Sequence, residues 1–444
     1  MAHFGFLAPP LPGHINPMLA LARELVTRGN RVTFLGFPDL GPRLPDDVLF
    51  FPFAEQEQPL GSLQPYLARL GRLGGPLSLM RLVRDLAAFA DTICRHLPGA
   101  LERLQPDALV IDQTDAAGSL AATALGVPFV NIANALPLNL EPGVPPPVLA
   151  WGYDPSPKGL RRNRGGYRVA RWVERPITRV IRQHAARLGR PDIRFADETW
   201  SQQAQITQCV PGLDFPRAQL PANFHYVGPI RGPDEPLDFH LPNDRPLAFC
   251  SLGTLQGSRV GLFRAAAKAA ATRGVKIVIA HGGGLSERDM ASLPGSPIVR
   301  AFVPQRAVLG RADFAITHAG FNTVMDALSL GVPMVAMPIT FEQPATGARL
   351  KRAGAAVVLQ RRRTAGRIAA AIDKVLADPS YRRSAQSLQE EIQSAGGVRL
   401  AADIIERTLG VAAPPAAATR ARAAPNDARG DSRSGSSSAA IRSS

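Results

Sequence analysis

The chain has 444 residues, 45% of them hydrophobic, 20% charged and 6% aromatic, and carries a formal net charge of +15. At roughly 100–200 residues per domain this length gives two or three domains with a large buried core, and the apolar content excludes a globally disordered chain. The three cysteines, Cys94, Cys209 and Cys250, are far apart, which excludes a disulfide framework and a Cys-rich zinc site and fits a reducing compartment.

In chain order, Phe4 to Ala8 reads as a first strand. It has no basic segment before it and is too short to be the apolar core of a signal peptide. No run of about 18 uninterrupted apolar residues occurs, so no spanning helix is expected and the protein is expected to be cytoplasmic, or peripheral on the inner face of the cell membrane. Pro9 to Gly13 is a turn, Ile15 to Arg28 has apolar residues at helical spacing, and Val32 to Leu35 follows Gly29 as a strand. A second unit repeats the pattern, with Ala108 to Ile111 as strand, Ala116 to Leu125 as helix and Val127 to Ile132 as strand. The N-terminal half is therefore an α/β layer with a mostly parallel sheet.

His14 falls just past the first strand, where a histidine can face a cleft and take a proton near neutral pH. It can equally be a helix-start residue with a satisfied ring. Asp112 ends the equivalent strand of the second unit, and an acid there either caps the next helix or orients a neighbour. If the two meet, they make an oriented general base. Asp115 competes for the role but reads more simply as the cap of the following helix.

The charge is local. Between Lys158 and Arg194 one Lys and eleven Arg face only Glu174 and Asp192, a net +10. Trp151, Tyr153, Tyr167 and Trp172 lie in or beside this stretch, and Val169, Val173, Ile177, Val180 and Ile181 recur at roughly helical spacing, with Pro176 opposing one unbroken helix. Such a segment is a solvated helical face or a surface for something anionic, a nucleic acid or an acidic lipid leaflet.

From Arg231 to Pro246 the sequence (RGPDEPLDFHLPNDRP) is a linker. Alternation then restarts with Leu247 to Ser251, Lys276 to Ala280, Phe314 to Thr317 and Met334 to Met337 as strands, and with Gly261 to Thr272 and Asn322 to Leu330 as helices. Tyr381 to Leu409 is helical, and the segment 411–444 has the composition of a disordered tail. Two α/β halves imply a cleft whose ligands bind at the carboxyl ends of the strands.

On the second half's cleft side, Thr317 to Asn322 (THAGFN) joins a strand to a helix. Ala319 and Gly320 let backbone N–H groups approach a phosphate, the helix start carries partial positive charge, and His318 and Thr323 add polar groups. His281 with Gly282 to Gly284 is a rival cradle, read more plainly as a flexible turn. Glu342 and Gln343 follow the next strand, and an adjacent carboxylate and amide suit the vicinal hydroxyls of a sugar. No two Asp are separated by a single residue, so the D-x-D metal clamp of many sugar-nucleotide enzymes is absent from the sequence.

The run from Phe302 to Gln343 (FVPQRAVLGRADFAITHAGFNTVMDALSLGVPMVAMPITFEQ) resembles the donor signature of the UDP-glycosyltransferases of GT-B fold, which have two facing Rossmann-like domains with parallel sheets and an interdomain cleft. Gly13 with His14, Asp112 and the Ser251 to Thr254 loop (SLGT) also match. Within that family ALPLN (135–139), LDFPRAQLP (213–221), SLGTLQG (251–257), GLFR (261–264), THAGFNTVMDA (317–327) and EQP (342–344) resemble the bacterial zeaxanthin glucosyltransferases.

The resemblance implies an acceptor domain over 1–230, a linker over 231–246, a UDP-sugar domain over 247–410 and a tail over 411–444. It implies transfer of glucose from UDP-glucose to a hydroxylated carotenoid without a metal or bound cofactor, with inversion to a β-glucoside and, since zeaxanthin has a hydroxyl at each end, a diglucoside as end product. His14 would be the base and Asp112 its partner. Phe302 would stand at the uracil with the main chain of Val303 and Gln305 beside it, His318, Asn322 and Thr323 would hold the diphosphate, and Ser251, Thr254 and Gly320 would also bind the donor. Asp326 takes the place of a ribose-binding Glu, and Glu342 with Gln343 that of a sugar-binding Asp-Gln pair. An acceptor too apolar to cross water turns the 158–194 stretch toward an anionic membrane rather than a nucleic acid.

Overall fold

The computed structural model describes residues 1–71, 75–242, 244 and 246–410; the expected tail, 411–444, lies outside them. The first half opens with β1 (His3–Leu7), α1 (Pro12–Thr27), β2 (Arg31–Gly36), β3 (Leu49–Pro52), α2 (Gln64–Leu70) and α3 (Pro76–Leu104). It continues with β4 (Ala108–Asp112), α4 (Ala116–Leu125), β5 (Phe129–Ala133), α5 (Pro157–Val173), α6 (Arg175–Arg187), β6 (Gln205–Thr207) and β7 (Phe224–Tyr226). Its strands form a parallel sheet in the order β3-β2-β1-β4-β5-β6-β7.

The second half has β8 (Leu247–Ser251), α7 (Val260–Ala271), β9 (Lys276–Ala280), α8 (Glu287–Ala291), β10 (Ile298–Arg300), α9 (Gln305–Leu309), β11 (Phe314–Thr317) and α10 (Phe321–Ser329). After these come β12 (Met334–Ala336), α11 (Gln343–Ala353), β13 (Ala356–Val358), α12 (Ala365–Ala377), α13 (Ser380–Ser394) and α14 (Gly397–Thr408). Its sheet is also parallel, in the order β10-β9-β8-β11-β12-β13.

The central strands are apolar on both faces because helices cover both sides of a parallel sheet. Phe4, Phe6, Phe34, Val110, Ile132, Phe249 and Ile316 are completely buried, and each such side chain contributes about 1.5–3 kcal/mol of hydrophobic stabilisation. On α1 the helical spacing of Ile15, Met18, Leu21, Ala22 and Leu25 turns one face into the first core.

Both sheets reverse their order of growth at one point, between β1 and β4 in the first and between β8 and β11 in the second. A cleft opens at the carboxyl ends of strands where such a reversal occurs. The register places Leu7 beside Ile111, so Asp112 emerges just past the partner of the strand that leads to His14. Likewise Thr317 pairs with Ser251, which brings the THAGFN turn against the SLGT loop.

The predicted terminal helix is two helices, α13 and α14, because Gly396 takes a left-handed φ of 89°. Although α14 follows the second sheet in sequence, Ala401, Ala402, Ile404 and Ile405 pack in the first core against α1. Arg28 at the end of α1 holds Asp403 and Glu406 at 2.5 and 2.9 Å. Part of the segment read as a linker is packed as well, with Leu241 buried and Leu237 and Phe239 partly buried against a core cluster that both halves contribute to.

Candidate functional site

His14 lies in the first turn of α1, and its Nδ1 is 2.7 Å from Asp112 Oδ2. A carboxylate only accepts, so Nδ1 carries the hydrogen and Nε2 keeps the lone pair. Asp112 is held from three further directions: Asn134 Nδ2 donates to Oδ2 at 2.7 Å, and the Thr114 N–H and hydroxyl donate to Oδ1 at 2.9 and 2.5 Å. Burial pushes the Asp112 pKa up, but the charge and hydrogen bond of His14, with those of Thr114 and Asn134, bring it below the ordinary 3.8. For His14, burial pushes the pKa down, while the Asp112 charge, the Asp112 hydrogen bond and the Glu342 charge more than offset it and leave it above 6.5. Asp115 plays the capping part expected of it, accepting the Gly118 N–H at 2.8 Å. Burial, despite that bond, raises its pKa to about 6.

The THAGFN turn meets this pair across the cleft. Asn322 Nδ2 donates to the carbonyl of Gly13, the residue before His14, at 2.6 Å. Ala319 takes a φ of 63° in the turn and Phe341, before Glu342, one of 54°. Left-handed backbone in non-glycine residues costs on the order of 1–3 kcal/mol and clusters where a site holds its shape. His318 is buried and its pKa falls to about 4, so it is a neutral ring at neutral pH despite a hydrogen bond to the Ser251 backbone. It therefore offers a hydrogen bond rather than a charge. A Cβ at Gly320 would lie 2.3 Å from His318 Nε2 and one at Gly253 2.7 Å, so both glycines make room for the ring.

Around the turn, Ser251 is buried and its hydroxyl accepts the Gly253 N–H at 3.2 Å. Thr254 opens a short 3-10 turn, Val303 packs on the second domain's core, and Phe302 is 70% exposed, free to cover a flat ligand. Glu342 is half-buried, and burial raises its carboxyl pKa in spite of backbone hydrogen bonds and the charge of His14. Gln343 is tied locally: its Oε1 accepts the N–H groups of Ile339 and Thr340 at 2.9 Å each, leaving its NH2 for a ligand. The rival cradle at His281 is a packing device rather than a flexible turn. His281 Nδ1 accepts the Leu285 N–H at 3.0 Å, and a Cβ at Gly257 would come within 2.0 Å of the His281 carbonyl.

Gln305, Thr323 and Asp326 are brought together: Gln305 Nε2 donates to Asp326 Oδ2 at 2.6 Å, and Thr323 Oγ1 reaches Gln305 Oε1 at 3.5 Å. Sequence reasoning missed Arg231, which bonds Asp326 at 2.7 Å from within the expected linker. It also missed Asn134, Thr114 and Gln208. Thr114 had a local signal, two residues past an acid at a strand end. Asn134 and Gln208 sit just beyond β5 and β6 among apolar neighbours, and Arg231 follows a Gly-Pro-Ile run with nothing to mark it.

The basic stretch divides at Glu174 into α5 and α6. Ile177, Val180 and Ile181 of α6 face inward onto Ala90, Ile93 and Cys94 of α3, so this half of the expected interfacial helix is an ordinary amphipathic helix on its own domain. Trp151 and Tyr167 are also engaged within the fold, Trp151 under Arg162 and Tyr167 donating to the Val144 carbonyl. Val169 and Trp172 of α5 remain 62% and 59% exposed, with Arg161, Arg164, Arg168 and Arg175 exposed nearby in sequence. No helix among the described residues is long and apolar enough to cross a membrane, and no group of three or more His, Cys, Asp or Glu is placed to hold a metal ion.

The family model described as UDP-glucoronosyl and UDP-glucosyl transferase matches residues 168–392. A zeaxanthin glucosyltransferase of Pseudescherichia vulneris is 39% identical over 414 residues, spanning 92% of this chain and 98% of that protein. Another, of Pantoea ananas, is 36% identical over 416 residues, spanning 92% and 96%. Among solved structures, the calicheamicin glycosyltransferase CalG4 superposes with a TM-score of 0.70 at 25% identity, covering 93% of this chain and 100% of that one. The glycotransferase of kitacinnamycin gives a TM-score of 0.73 at 22% identity, covering 92% and 99%.

Proposed function

The chain belongs to the UDP-glucoronosyl and UDP-glucosyl transferase family, with its GT-B fold, and from that premise we propose that it transfers glucose from UDP-glucose to the ring hydroxyls of zeaxanthin. The observation that carries the mechanism is the His14–Asp112 pair, 2.7 Å apart, standing one residue from the Gly13 carbonyl that the donor turn's Asn322 grips. Base and donor cradle thus meet at one point of the cleft.

An alcohol has a pKa far above 7, so its attack on the anomeric carbon needs a base that takes the proton as the bond forms. His14 Nε2 is that base, and Asp112 stabilises the imidazolium that results. The departing UDP gains negative charge. The N–H groups at the start of α10, with the Asn322 and Thr323 side chains and the neutral His318 ring, receive it. Asp326 is assigned to the ribose, exposed Phe302 to the uracil face with Val303 and Gln305 at its edge, and Glu342 with the Gln343 NH2 to the sugar hydroxyls. Attack opposite the leaving group inverts the centre, giving a β-glucoside, and repetition at the second ring gives the diglucoside.

The acceptor dissolves in lipid rather than water. Exposed Val169 and Trp172 among arginines make α5 the face assigned to an anionic membrane. The test is mass analysis of products from zeaxanthin supplied with competing UDP-sugars, beside a panel of hopanoid and macrolide alcohols. Glucosylated zeaxanthin is expected. Product on another alcohol alone would move the acceptor assignment, and no product from any UDP-sugar would sink the reading. His14→Ala is expected to abolish turnover while UDP still binds.

A further inference from the structure

Arg231 begins the segment that reads as a connector, yet all five of its N–H donors are used, and three of them go to the donor half. Nε donates to Asp326 Oδ1 at 2.7 Å, and Nη2 donates to the Asn322 carbonyl at 3.2 Å and to Asn322 Oδ1 at 3.0 Å. Nη1 donates to Gln208 Oε1 at 2.5 Å and to the Ile230 carbonyl at 2.9 Å. A guanidinium has five donors and no acceptor, so this one has nothing left to offer a diphosphate. Its donors are spent on the Asp326, Asn322 and Gln208 side chains and on the Asn322 and Ile230 carbonyls.

Asp326 is nearly buried, with 9% of its side chain exposed, and each of its oxygens has one protein partner, Arg231 on Oδ1 and Gln305 Nε2 on Oδ2. An ionised carboxylate has about four lone-pair directions. Two are taken, the plane is fixed by the two bonds, and one direction remains on each oxygen for a pair of vicinal hydroxyls. We propose that Arg231 is a positioning residue of the donor site, fixing the Asp326 carboxylate so that it recognises the 2′,3′-diol of a nucleotide ribose. The same guanidinium orients Asn322, whose amide contacts Gly13, so the ribose contact, the diphosphate turn and the base loop are set by one side chain from the connector. Lysine cannot replace it, because an ammonium lacks the planar fork that serves Asp326 and Asn322 at once. The proposal rests on the nucleotide-donor reading above.

The test is calorimetric titration of the full chain with UDP and with 2′-deoxy-UDP, for wild type, Arg231→Gln and Arg231→Lys. A site built to bond a hydroxyl rejects the analogue that lacks it, so wild type is expected to prefer UDP by about tenfold or more. In Arg231→Gln that preference should fall to within about twofold of unity, UDP weakening more than 2′-deoxy-UDP, because the hydroxyl contact depends on the carboxylate's orientation whereas any loss through Asn322 is common to both nucleotides. The KM for the acceptor should stay within about twofold of wild type while that for the donor rises. Arg231→Lys keeps the charge and guards against a folding defect; correctly folded, it should still lose at least about threefold of the preference. An unchanged UDP to 2′-deoxy-UDP ratio in either folded variant overturns the proposal. A wild type that binds neither nucleotide would sink the donor reading instead.

Discussion

His14 and Asp112 are 98 positions apart in the chain and 2.7 Å apart in space, and the chemistry of each is set by the other. As the proposed base His14 has to be neutral to act, yet Asp112 helps to hold its pKa above 6.5 against burial. Activity is therefore expected to climb with pH through a midpoint above the ordinary histidine value, measured as kcat/KM against pH. In Asp112→Asn the larger of the two charges that raise the pKa is gone while burial remains, so the midpoint should move down. The plateau should fall by about 100-fold or more, because the tautomer and orientation of the ring are no longer fixed. An unmoved acid limb would show that another group titrates. The pair also links stability to pH. The depressed Asp112 pKa stabilises the fold above the carboxylate range, and that contribution is lost as pH falls through it. The raised His14 pKa stabilises below 6.5 and is lost as pH rises through the raised value.

At the scale of single elements, the strand-to-helix turns hold the site because small residues let polar backbone and rings come close. Gly320 has an ordinary φ, so its need for glycine is steric alone: a Cβ would stand 2.3 Å from the His318 ring. Gly320→Ala should displace that ring and raise the donor KM by about tenfold, with thermal stability lowered by only a few degrees; steady-state kinetics with a melting curve checks both. The two basic helices behave differently although their composition is alike. α6 is folded onto α3, whereas α5 leaves Val169 and Trp172 in solvent. Trp172→Ala combined with Val169→Ala should cut sedimentation with anionic vesicles while activity on dispersed acceptor is kept. Equal recovery of wild type with neutral and anionic vesicles, or none with either, would remove the membrane assignment for α5.

Across the whole molecule, the two halves are joined by more than the connector. Asp214, from the first half, is buried between Arg217 at 2.7 Å and Arg349 of α11 at 2.8 Å, with the Tyr226 hydroxyl at 3.0 Å and the Phe215 ring 4.3 Å from the Arg349 guanidinium. One carboxylate thus pairs with two buried cations, one from its own half and one from across the boundary. Asp214→Asn would strand both guanidiniums, and breaking a buried ion pair from one side costs about 3–5 kcal/mol. Arg349→Met leaves Asp214 paired with Arg217 and should cost clearly less. Denaturant unfolding of the two variants distinguishes them, and equal losses would show that packing rather than charge holds this boundary.

Local periodicity carried the secondary structure of the central strands and of α1, α4, α7 and α10, because a helix buried on one face or a strand buried on two must repeat apolar residues at its own period. It placed His14, Asp112 and the THAGFN turn at strand ends, where a parallel sheet presents chemistry. Short strands such as β6, β7 and β13 were not read, since three residues are too few to show a period, although β12, equally short, was read from its apolar run. The Arg231 contact to Asp326 and the return of α14 to the first domain were not legible either. Those features join residues 95 and more than 370 positions apart, and no local pattern encodes a partner at that distance. What each strand end offers is written in the local pattern; which offers meet is written in the fold, because register and domain packing bring the strand ends together.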